Sequence, residues 1–300
     1  MKQLIAVDWG TSSLRAALLD GQGRVLAEHS SARGILTVAP GEFAPVLVAA
    51  CADLARPAGH FYLLSGMVGS RQGWKEAPYC PCPAGFAAIS ARLAWVEAGA
   101  QLGRCAIVPG LSHEHLGVPD VMRGEETQVL GALDLLGLDE GLFVLPGTHS
   151  KWVRVRAGRI EGFSTFMTGE FYALLRKHSI LARTMPAEDG ALDEQAFKQG
   201  VARAWQAGSL LHSAFSARTL SLFERLPAAA LPSYLSGLVI GEELRSQQLD
   251  AAQGPVVVIG APELTRRYEF ALRDFGLTVR CVGAEATWRG LWAIAQTLES

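Results

Sequence analysis

The sequence predicts an α/β fold made of two lobes. Helical patterns alternate with short apolar runs of the kind found in buried strands, at residues 61–64, 105–108, 142–145 and 256–259. Such alternation is typical of α/β lobes that contain mixed sheets. The 300 residues also exceed the usual size of one hydrophobic core, which favours lobes of about 100–200 residues each. We expect one lobe at residues 1–112, with a returning helix at 285–300, and the other at 113–284.

The first elements form a hairpin. A continuous apolar run at residues 4–7 is typical of a strand buried on both faces. A second apolar run at 16–19 follows after a short turn, and residues 20–23 then turn into a third strand at 24–29. A P-loop and a dinucleotide-binding fingerprint both open a helix after their glycines, so this order of strand, turn and strand excludes both classes.

The turn between the first two strands has the composition of a phosphate-binding loop. Asp8 falls at the carboxyl end of the first strand, and Gly10 allows a close approach of the backbone. Thr11 and Ser12 supply hydroxyl and amide donors for phosphate oxygens.

A second hairpin repeats this order. The apolar strand at 142–145 leads into Gly147, Thr148 and His149, and an alternating strand follows at 152–156. One such turn is as compatible with an ordinary β-hairpin as with a phosphate site, but two favour nucleotide binding. We therefore expect residues near 10 and residues near 148 to face each other across a gap sized for a triphosphate.

Helical patterns fill the segments between the strands. The predicted helices lie at residues 45–54, 86–97, 125–136, 168–177, 196–223 with a break near Gly208, 232–249, 262–275 and 285–298. The two lobes would join through short crossings near residues 110–123 and near residue 284.

The helix predicted at 125–136 begins with two adjacent carboxylates, Glu125 and Glu126. A helix dipole favours negative charge at this end, which is a purely structural explanation for both residues. Their place between the two phosphate turns would also suit a carboxylate that accepts the proton of a hydroxyl attacking a bound phosphate. We expect Glu125 to be that base, with Glu126 as the alternative.

Six strings spread over nearly the whole chain carry a closer resemblance: DWGTSSLR (8–15), SGMVGS (65–70), GWKEAPY (73–79), MRGEETQ (122–128), PGTHSKW (146–152) and TGE (168–170). In these strings the chain resembles the 2-dehydro-3-deoxygalactonokinases. Its paired hairpins resemble the sugar kinase, hexokinase, actin and Hsp70 superfamily. The resemblance implies two ribonuclease-H-like lobes with mixed sheets and a nucleotide cleft between them, the actin-like ATPase fold.

The reaction that the resemblance implies is phosphorylation by ATP of the 6-hydroxyl of 2-dehydro-3-deoxy-D-galactonate, in galactonate catabolism. A kinase of another sugar or keto-deoxy sugar acid is the alternative, followed by a nonenzymatic ATP-binding actin-like protein.

Asp8 would hold Mg2+, because a hard cation that bridges ATP phosphates needs a carboxylate. The phosphates would contact the two turns, at Gly10, Thr11, Ser12, Gly147 and Thr148. Lys151 or Arg15 would neutralise the transferred group, unless both are solvated strand residues.

The implied substrate is anionic, so its pocket needs a cation. Arg71, Lys75 and Arg123 are the candidates, and bidentate pairing with a carboxylate favours the arginines. Neighbouring residues implied in the pocket are Ser65, Gly66, Met67 and Trp74. His149 would donate a hydrogen bond to the substrate or hold the turn, and Glu170 would line the cleft or cap a helix.

Adenosine would lie beside the strand predicted at 256–259. Gly260, Ala261 and Leu264 follow this strand and open a helix, an arrangement that presents backbone to a purine. An ordinary strand-to-helix turn has the same pattern, and the resemblance favours the adenosine site.

The amino-acid composition limits the classes of binding partner that we expect for this protein. The net charge of −2 and the 19% of charged residues provide no basic face for nucleic acid. No apolar run approaches the ~18 residues of a membrane span, and an odd count of five cysteines suits a reducing compartment. We expect a cytoplasmic protein that binds a small sugar acid, and the sequence leaves a homodimer open.

Overall fold

The computed structural model describes residues 3–54, 60–97, 99, 102–247, 249–250 and 254–298. The parts of the predicted lobes at 1–2, 55–59, 98, 100–101, 248, 251–253 and 299–300 lie outside the described residues. The strands are β1 (Gln3–Trp9), β2 (Leu14–Asp20), β3 (Val25–Ser31), β4 (Phe61–Ser65), β5 (Cys80–Pro81), β6 (Ala94–Val96), β7 (Arg104–Ile107), β8 (Leu111–His115), β9 (Val118–Met122), β10 (Gly141–Leu145), β11 (Ser150–Arg156), β12 (Arg159–Phe166), β13 (Val256–Ile259) and β14 (Val279–Val282). The α-helices are α1 (Phe43–Ala50), α2 (Phe86–Ser90), α3 (Glu125–Leu136), α4 (Thr168–His178), α5 (Glu194–Ala207), α6 (Leu210–Ser213), α7 (Ser216–Leu222), α8 (Leu231–Arg245), α9 (Pro262–Asp274) and α10 (Glu285–Gln296).

A six-stranded mixed sheet has the order β3-β2-β1-β4-β7-β6. β1, β4 and β7 run parallel at its centre, and β2, β3 and β6 pair antiparallel with their neighbours. The central strands are buried on both faces, as the continuous apolar runs predict. Asp8 of β1 is level with Ser65 of β4. The two strands therefore bring these residues to the same edge of the sheet.

A five-stranded sheet has the order β12-β11-β10-β13-β14, and a small sheet has the order β5-β8-β9. The two predicted hairpins, β1-β2-β3 and β10-β11-β12, are therefore confirmed. The strands expected at 61–64, 105–108, 142–145 and 256–259 are also present, to within a residue at each end.

The helix expected at 86–97 is wrong in its second half. The helix α2 ends at Ser90, and β6 pairs antiparallel with β7 instead. Trp95 on β6 stacks on Phe61, with ring centroids 5.8 Å apart. The Arg104 guanidinium lies 4.9 Å from the centroid of the Trp95 ring. This packing on distant residues favours the strand.

The segment expected as one interrupted helix at 196–223 forms α5, α6 and α7. The first break falls at Gly208, which ends α5 in the left-handed conformation (φ 70°). This is the conformation for which glycine is favoured, and the predicted break is confirmed.

Contacts between Cα atoms divide the chain into two compact units. Unit 1 consists of Met1–Phe143, Trp152–Ser164 and Val282–Ser300, and unit 2 of Val144–Lys151 and Thr165–Cys281. Residues 113–143, expected in the second lobe, thus cluster with unit 1. Within unit 1, the expected crossing at 110–123 contains the hairpin of β8 and β9. Because a contact division reports only which segments pack together, the lobe boundaries stay a prediction.

Helix pairs inside each unit pack backbone to backbone through glycines. In unit 1, α3 meets α10, and a Cβ at Gly290 would lie 2.0 Å from the Thr127 carbonyl oxygen. In unit 2, α5 meets α8, and a Cβ at Gly237 would lie 2.1 Å from the Phe197 carbonyl oxygen. Only glycine permits these approaches.

None of the helices in the described ranges is both long enough and apolar enough to cross a membrane.

Candidate active site

Three chain segments converge in unit 1 at the edge where β1 and β4 end. Gly66, directly after β4, has φ 97°, and a Cβ there would lie 2.9 Å from the Trp9 carbonyl oxygen and 3.3 Å from Asp8 Oδ1. Gly124, directly before α3, has φ 107°, and a Cβ there would lie 3.3 Å from the Gly66 Cα. Glycines thus allow the end of β1, the end of β4 and the start of α3 to touch. Ligands of open α/β sheets bind at this kind of edge.

Asp8 is paired with Arg15 on the neighbouring strand. The Oδ2 atom of Asp8 accepts hydrogen bonds from Arg15 Nε at 3.2 Å and Nη2 at 2.5 Å. The Arg15 guanidinium also lies 5.6 Å from the centroid of the Trp288 ring. Arg15 is therefore partly held in place by an ion pair and a ring, so it is not the freely solvated strand residue of the alternative reading.

The two carboxylates of α3 have different environments. Glu126 is fully buried, and its Oε2 accepts a hydrogen bond from Gly124 N at 2.7 Å. Burial and, second, the negative charge of Glu125 raise the pKa of Glu126 to about 8. Glu125 is half-buried and accepts a hydrogen bond from Arg123 N at 2.9 Å. Both carboxylates thus bind amides at the helix N-terminus, but only Glu125 also has solvent exposure.

Arg123 has unpaired donors inside the protein. Its Nη2 donates to the Ala77 carbonyl oxygen at 2.8 Å, and its guanidinium lies 4.5 Å from the centroid of the Tyr79 ring. Its Nε and Nη1 are buried and have no hydrogen-bond partner in the described chain. Unpaired buried donors are costly, so such a group is well suited to an anionic ligand.

The other two cations of the predicted substrate pocket are engaged at the surface. Arg71 is 87% exposed and pairs with Glu76 at 3.1 Å. Lys75 Nζ donates to the Trp95 carbonyl oxygen at 2.7 Å. Of the three candidates, Arg123 is the one with buried, unpaired donors.

The remaining residues expected in the substrate pocket of unit 1 have structural contacts. Ser65 is buried, and its hydroxyl pairs with that of Thr127 on α3 at 2.9 Å. Met67 packs on the core of unit 1. The ring of Trp74 stacks on Phe43, with centroids 6.2 Å apart. These side chains therefore hold this part of unit 1 together by core packing and one buried hydrogen bond.

The first glycine turn, at residues 10–13, is largely exposed, and hydrogen bonds to its carbonyl oxygens hold its backbone in place. Ile35 N donates to the Gly10 carbonyl oxygen at 3.0 Å, and Leu36 N donates to that of Thr11 at 3.3 Å. The side chains of Thr11 and Ser12 are exposed. The turn therefore offers hydroxyls on a backbone that is already anchored.

In unit 2, the second glycine turn lines a cavity of about 160 Å³. Residues predicted at separate places along the chain meet here, because Gly147 and Leu264 both contribute to the wall. The lining consists of Pro146, Gly147, Thr168, Gly169, Tyr172, Ser236, Val239, Ile240, Glu263, Leu264, Arg267 and Tyr268. It combines apolar surface with a few polar groups, as small-molecule sites do.

Gly260 and Ala261 adjoin this cavity without lining it. Gly260 has φ 151°, and a Cβ there would lie 3.8 Å from the Pro146 carbonyl oxygen. Ala261 precedes the first turn of α9, where its carbonyl accepts from Leu264 N and Thr265 N. The strand-to-helix turn is therefore packed against the second glycine turn.

The residues around the second turn differ in exposure. Thr148 is exposed, and its carbonyl accepts a hydrogen bond from Glu170 N at 3.0 Å. His149 Nε2 lies 2.6 Å from Glu170 Oε2, and both side chains are partly exposed. Lys151 is buried, with Nζ donating to the Thr165 hydroxyl at 2.7 Å, so it is not a solvated strand residue.

Sequence reasoning missed one buried carboxylate, Glu243 on α8. It accepts hydrogen bonds from the hydroxyls of Ser150, Thr168 and Tyr268. A signal was present, because Glu243 follows Ser236 and Ile240 at helical spacing on a helix that is mostly apolar.

Comparisons with known proteins agree with this architecture. The chain is 41% identical over 298 residues to a Rhizobium meliloti (strain 1021) protein named "Probable 2-dehydro-3-deoxygalactonokinase DgoK1", covering 98% of this chain and 96% of that protein. It is 35% identical over 296 residues to the 2-dehydro-3-deoxygalactonokinase of Escherichia coli (strain K12), covering 98% of each. A crystal structure of a Sinorhizobium meliloti protein assigned to the same enzyme has a TM-score of 0.90 and 39% identity, covering 98% of this chain and 99% of that chain.

The fold and these relatives define the class first: the chain is a kinase with the actin-like ATPase fold. A family model described as 2-keto-3-deoxy-galactonokinase matches residues 8–294. The chain belongs to this 2-keto-3-deoxy-galactonokinase family.

Proposed function

We propose that this kinase transfers the γ-phosphoryl group of ATP to the 6-hydroxyl of 2-dehydro-3-deoxy-D-galactonate, a step of galactonate catabolism. One observation carries the proposal beyond the family. Asp8, Gly66 and the start of α3 converge at one sheet edge of unit 1, with Arg123 and Glu125 on either side of Gly124. A cation for the sugar-acid carboxylate and a carboxylate for its hydroxyl proton therefore lie together.

Glu125 is the general base in this proposal. It would accept the proton of the 6-hydroxyl while the oxygen of that hydroxyl forms its bond to the γ-phosphorus and ADP leaves. Glu126 is an unsuitable base because it is fully buried and its pKa of about 8 keeps it mostly protonated at neutral pH. Its bond to Gly124 N instead holds the start of the helix.

Arg123 binds the substrate carboxylate in this proposal. Its two buried donors without partners in the described chain support this role over Arg71, which already has a carboxylate partner. A guanidinium held against the Tyr79 ring loses little further freedom when it binds an anion.

Asp8 is the residue that would hold Mg2+, whose charge neutralises the phosphates of bound ATP. Its Oδ2 accepts both bonds from Arg15, whereas Oδ1 takes no hydrogen bond from the described part of the chain. One available carboxylate oxygen fits Mg2+, which usually keeps several waters and takes its other ligands from substrate phosphates.

The nucleotide part of the proposal assigns adenosine to the 160 Å³ cavity of unit 2. Gly147 and Leu264 on its wall support this assignment. The contact of both glycine turns with the phosphates of one ATP stays a prediction. We also propose a cytoplasmic location, where ATP is available, and the homodimer stays a prediction for sedimentation to test.

The test is a panel of phosphorylation assays with 2-dehydro-3-deoxygalactonate, its gluconate epimer and simple hexoses. ADP release would measure the rate, and phosphorus NMR would identify the ester position. We expect the highest kcat/KM for the galactonate derivative, with the phosphate on the 6-oxygen. No turnover of this compound, together with good turnover of another, would overturn the assignment.

A further inference from the structure

Glu243 is a buried carboxylate at the end of an apolar helix. Its side chain is 3% exposed, and nearly every residue of α8 is buried with it. Glu243 Oε1 accepts from Ser150 Oγ at 2.7 Å, and Oε2 accepts from Tyr268 Oη at 2.7 Å and from Thr168 Oγ1. Burial and, second, the Glu243 charge raise the pKa of Tyr268 well above its usual value, so this phenol stays a donor. Three donors satisfy a buried acceptor that would otherwise be costly.

The three hydroxyls belong to three different segments, each of which contributes residues to the wall of the 160 Å³ cavity. Ser150 follows the turn that contributes Pro146 and Gly147, and Thr168 begins α4. Tyr268 lies on α9 with Leu264. The fourth wall is α8, the helix of Glu243 itself, which contributes Ser236, Val239 and Ile240.

Two of these walls also touch through their backbones. A Cβ at Gly169 would lie 2.4 Å from the Gly147 carbonyl oxygen, and Glu170 N donates to the Thr148 carbonyl oxygen. The glycine turn and the start of α4 are therefore in direct backbone contact.

We infer that Glu243 is a positioning residue that fixes the geometry of the nucleotide cavity by joining its four walls through three hydroxyl hydrogen bonds. This inference rests on the proposed assignment of the cavity to the nucleotide. Glu243 does not line the nucleotide cavity, so in this inference it acts on that cavity through Ser150, Thr168 and Tyr268.

The experiment compares Glu243→Gln with wild type in nucleotide binding and in steady-state kinetics. Glutamine keeps the shape but replaces one acceptor oxygen by an amide, so at least one hydroxyl loses its acceptor. We expect the calorimetric Kd for ADP and the KM for ATP to rise about tenfold, the scale of one hydrogen bond to a charged group. The KM for the sugar acid should stay within about twofold of wild type.

The matched control is Glu242→Gln. Glu242 is the adjacent residue, pairs with Arg245 and has a quarter of its side chain exposed. Losing the same charge there should leave the ADP Kd and both KM values unchanged.

A second variant, Ser150→Ala, removes one donor and introduces no new group. Ser150 is fully buried and does not line the cavity. We expect it to weaken ADP binding in the same direction. In the double variant Glu243→Gln/Ser150→Ala, the rise in the ADP Kd should be smaller than the product of the two single rises. The two substitutions disrupt the same Ser150–Glu243 hydrogen bond. Ser150→Ala also tests the inference alone if Glu243→Gln does not fold.

A merely structural Glu243 would lower the melting temperature and the active fraction while the ADP Kd and both KM values stay at the wild-type level. That result, or fully additive effects in the double variant, would overturn the inference. A wild type that binds ADP but does not phosphorylate the galactonate derivative would refute the proposed substrate and leave the Glu243 test intact.

Discussion

Replacing Glu126 by glutamine tests the electrostatics at the start of α3. The Glu126 carboxyl is fully buried beside Glu125, and its pKa is raised from 4.5 to about 8. Glutamine copies the neutral, protonated form of this side chain and keeps an oxygen that accepts from Gly124 N. The substitution therefore removes a titration from the folded protein and preserves the geometry.

The sign follows from proton linkage. A carboxyl whose pKa rises on folding binds a proton in the folded state, so its stability contribution is complete below pH 4.5 and is lost as the pH rises through about 8. The free energy of unfolding falls by about 1.4 kcal/mol for each pH unit within this window. Between pH 5 and pH 7 the wild type should lose about 3 kcal/mol through Glu126, and Glu126→Gln should not.

The assay is thermal unfolding of both proteins at pH 5, 6, 7 and 8. The melting temperature of Glu126→Gln minus that of wild type should rise by roughly 6–12 °C from pH 5 to pH 7, at about 2–4 °C per kcal/mol. Glu140→Gln is the control, since it removes a carboxylate from an exposed position. Parallel profiles of Glu126→Gln and wild type across this range would refute the raised pKa.

Three further variants test the site and the packing. Glu125→Gln should lower kcat by roughly 100-fold or more with little change in the KM for ATP, because it removes the proposed base; wild-type turnover would exclude that role. Arg123→Lys should raise the KM for the sugar acid about tenfold or more, while Arg71→Lys should leave it unchanged. Of these two arginines, Arg123 is the one with buried donors to pair with a carboxylate. Equal KM values for the two variants would contradict the assignment. Gly290→Ala should destabilise the protein by about 2 kcal/mol or more, because its methyl group would lie 2.0 Å from a carbonyl oxygen of α3. Gly190→Ala, with no atom within 4 Å, is the control, and equal urea midpoints for the two variants would show that α3 and α10 separate freely.

The family strings predict chemistry better than they predict the position of each side chain. The string at 122–128 identified both Glu125 and Arg123 as candidates, and in the structure the Glu125 carboxylate accepts a hydrogen bond from Arg123 N. Nothing in the string distinguishes Glu125 from Glu126. The difference comes from the packing of α3 on α10 and of Thr127 on Ser65, which is 62 residues away in the chain.

The second unit shows the same division. The glycine turn at 146–150 and the helix after β13 were both predicted from local pattern, and the structure joins them in one cavity. Glu243 was missed because its partner Ser150 lies 93 residues away in the chain. Helical spacing identifies which residues share one face of α8, but it does not identify the residues that pack on that face. The failure at 86–97 has the same origin, since the stacking of Trp95 on Phe61 decides for β6.

The sequence by itself determined the α/β class, the two hairpins, the carboxylates at the start of α3 and the kinase family. Periodicity, turn composition and motif strings are local properties, and they can be read without knowing which segments meet. Only the tertiary structure decided which carboxylate is buried, which arginine keeps unpaired donors and which acidic residue joins the walls of the cavity. Each of these depends on desolvation and hydrogen bonding by residues far apart in the chain, because the environment of a side chain is created by folding.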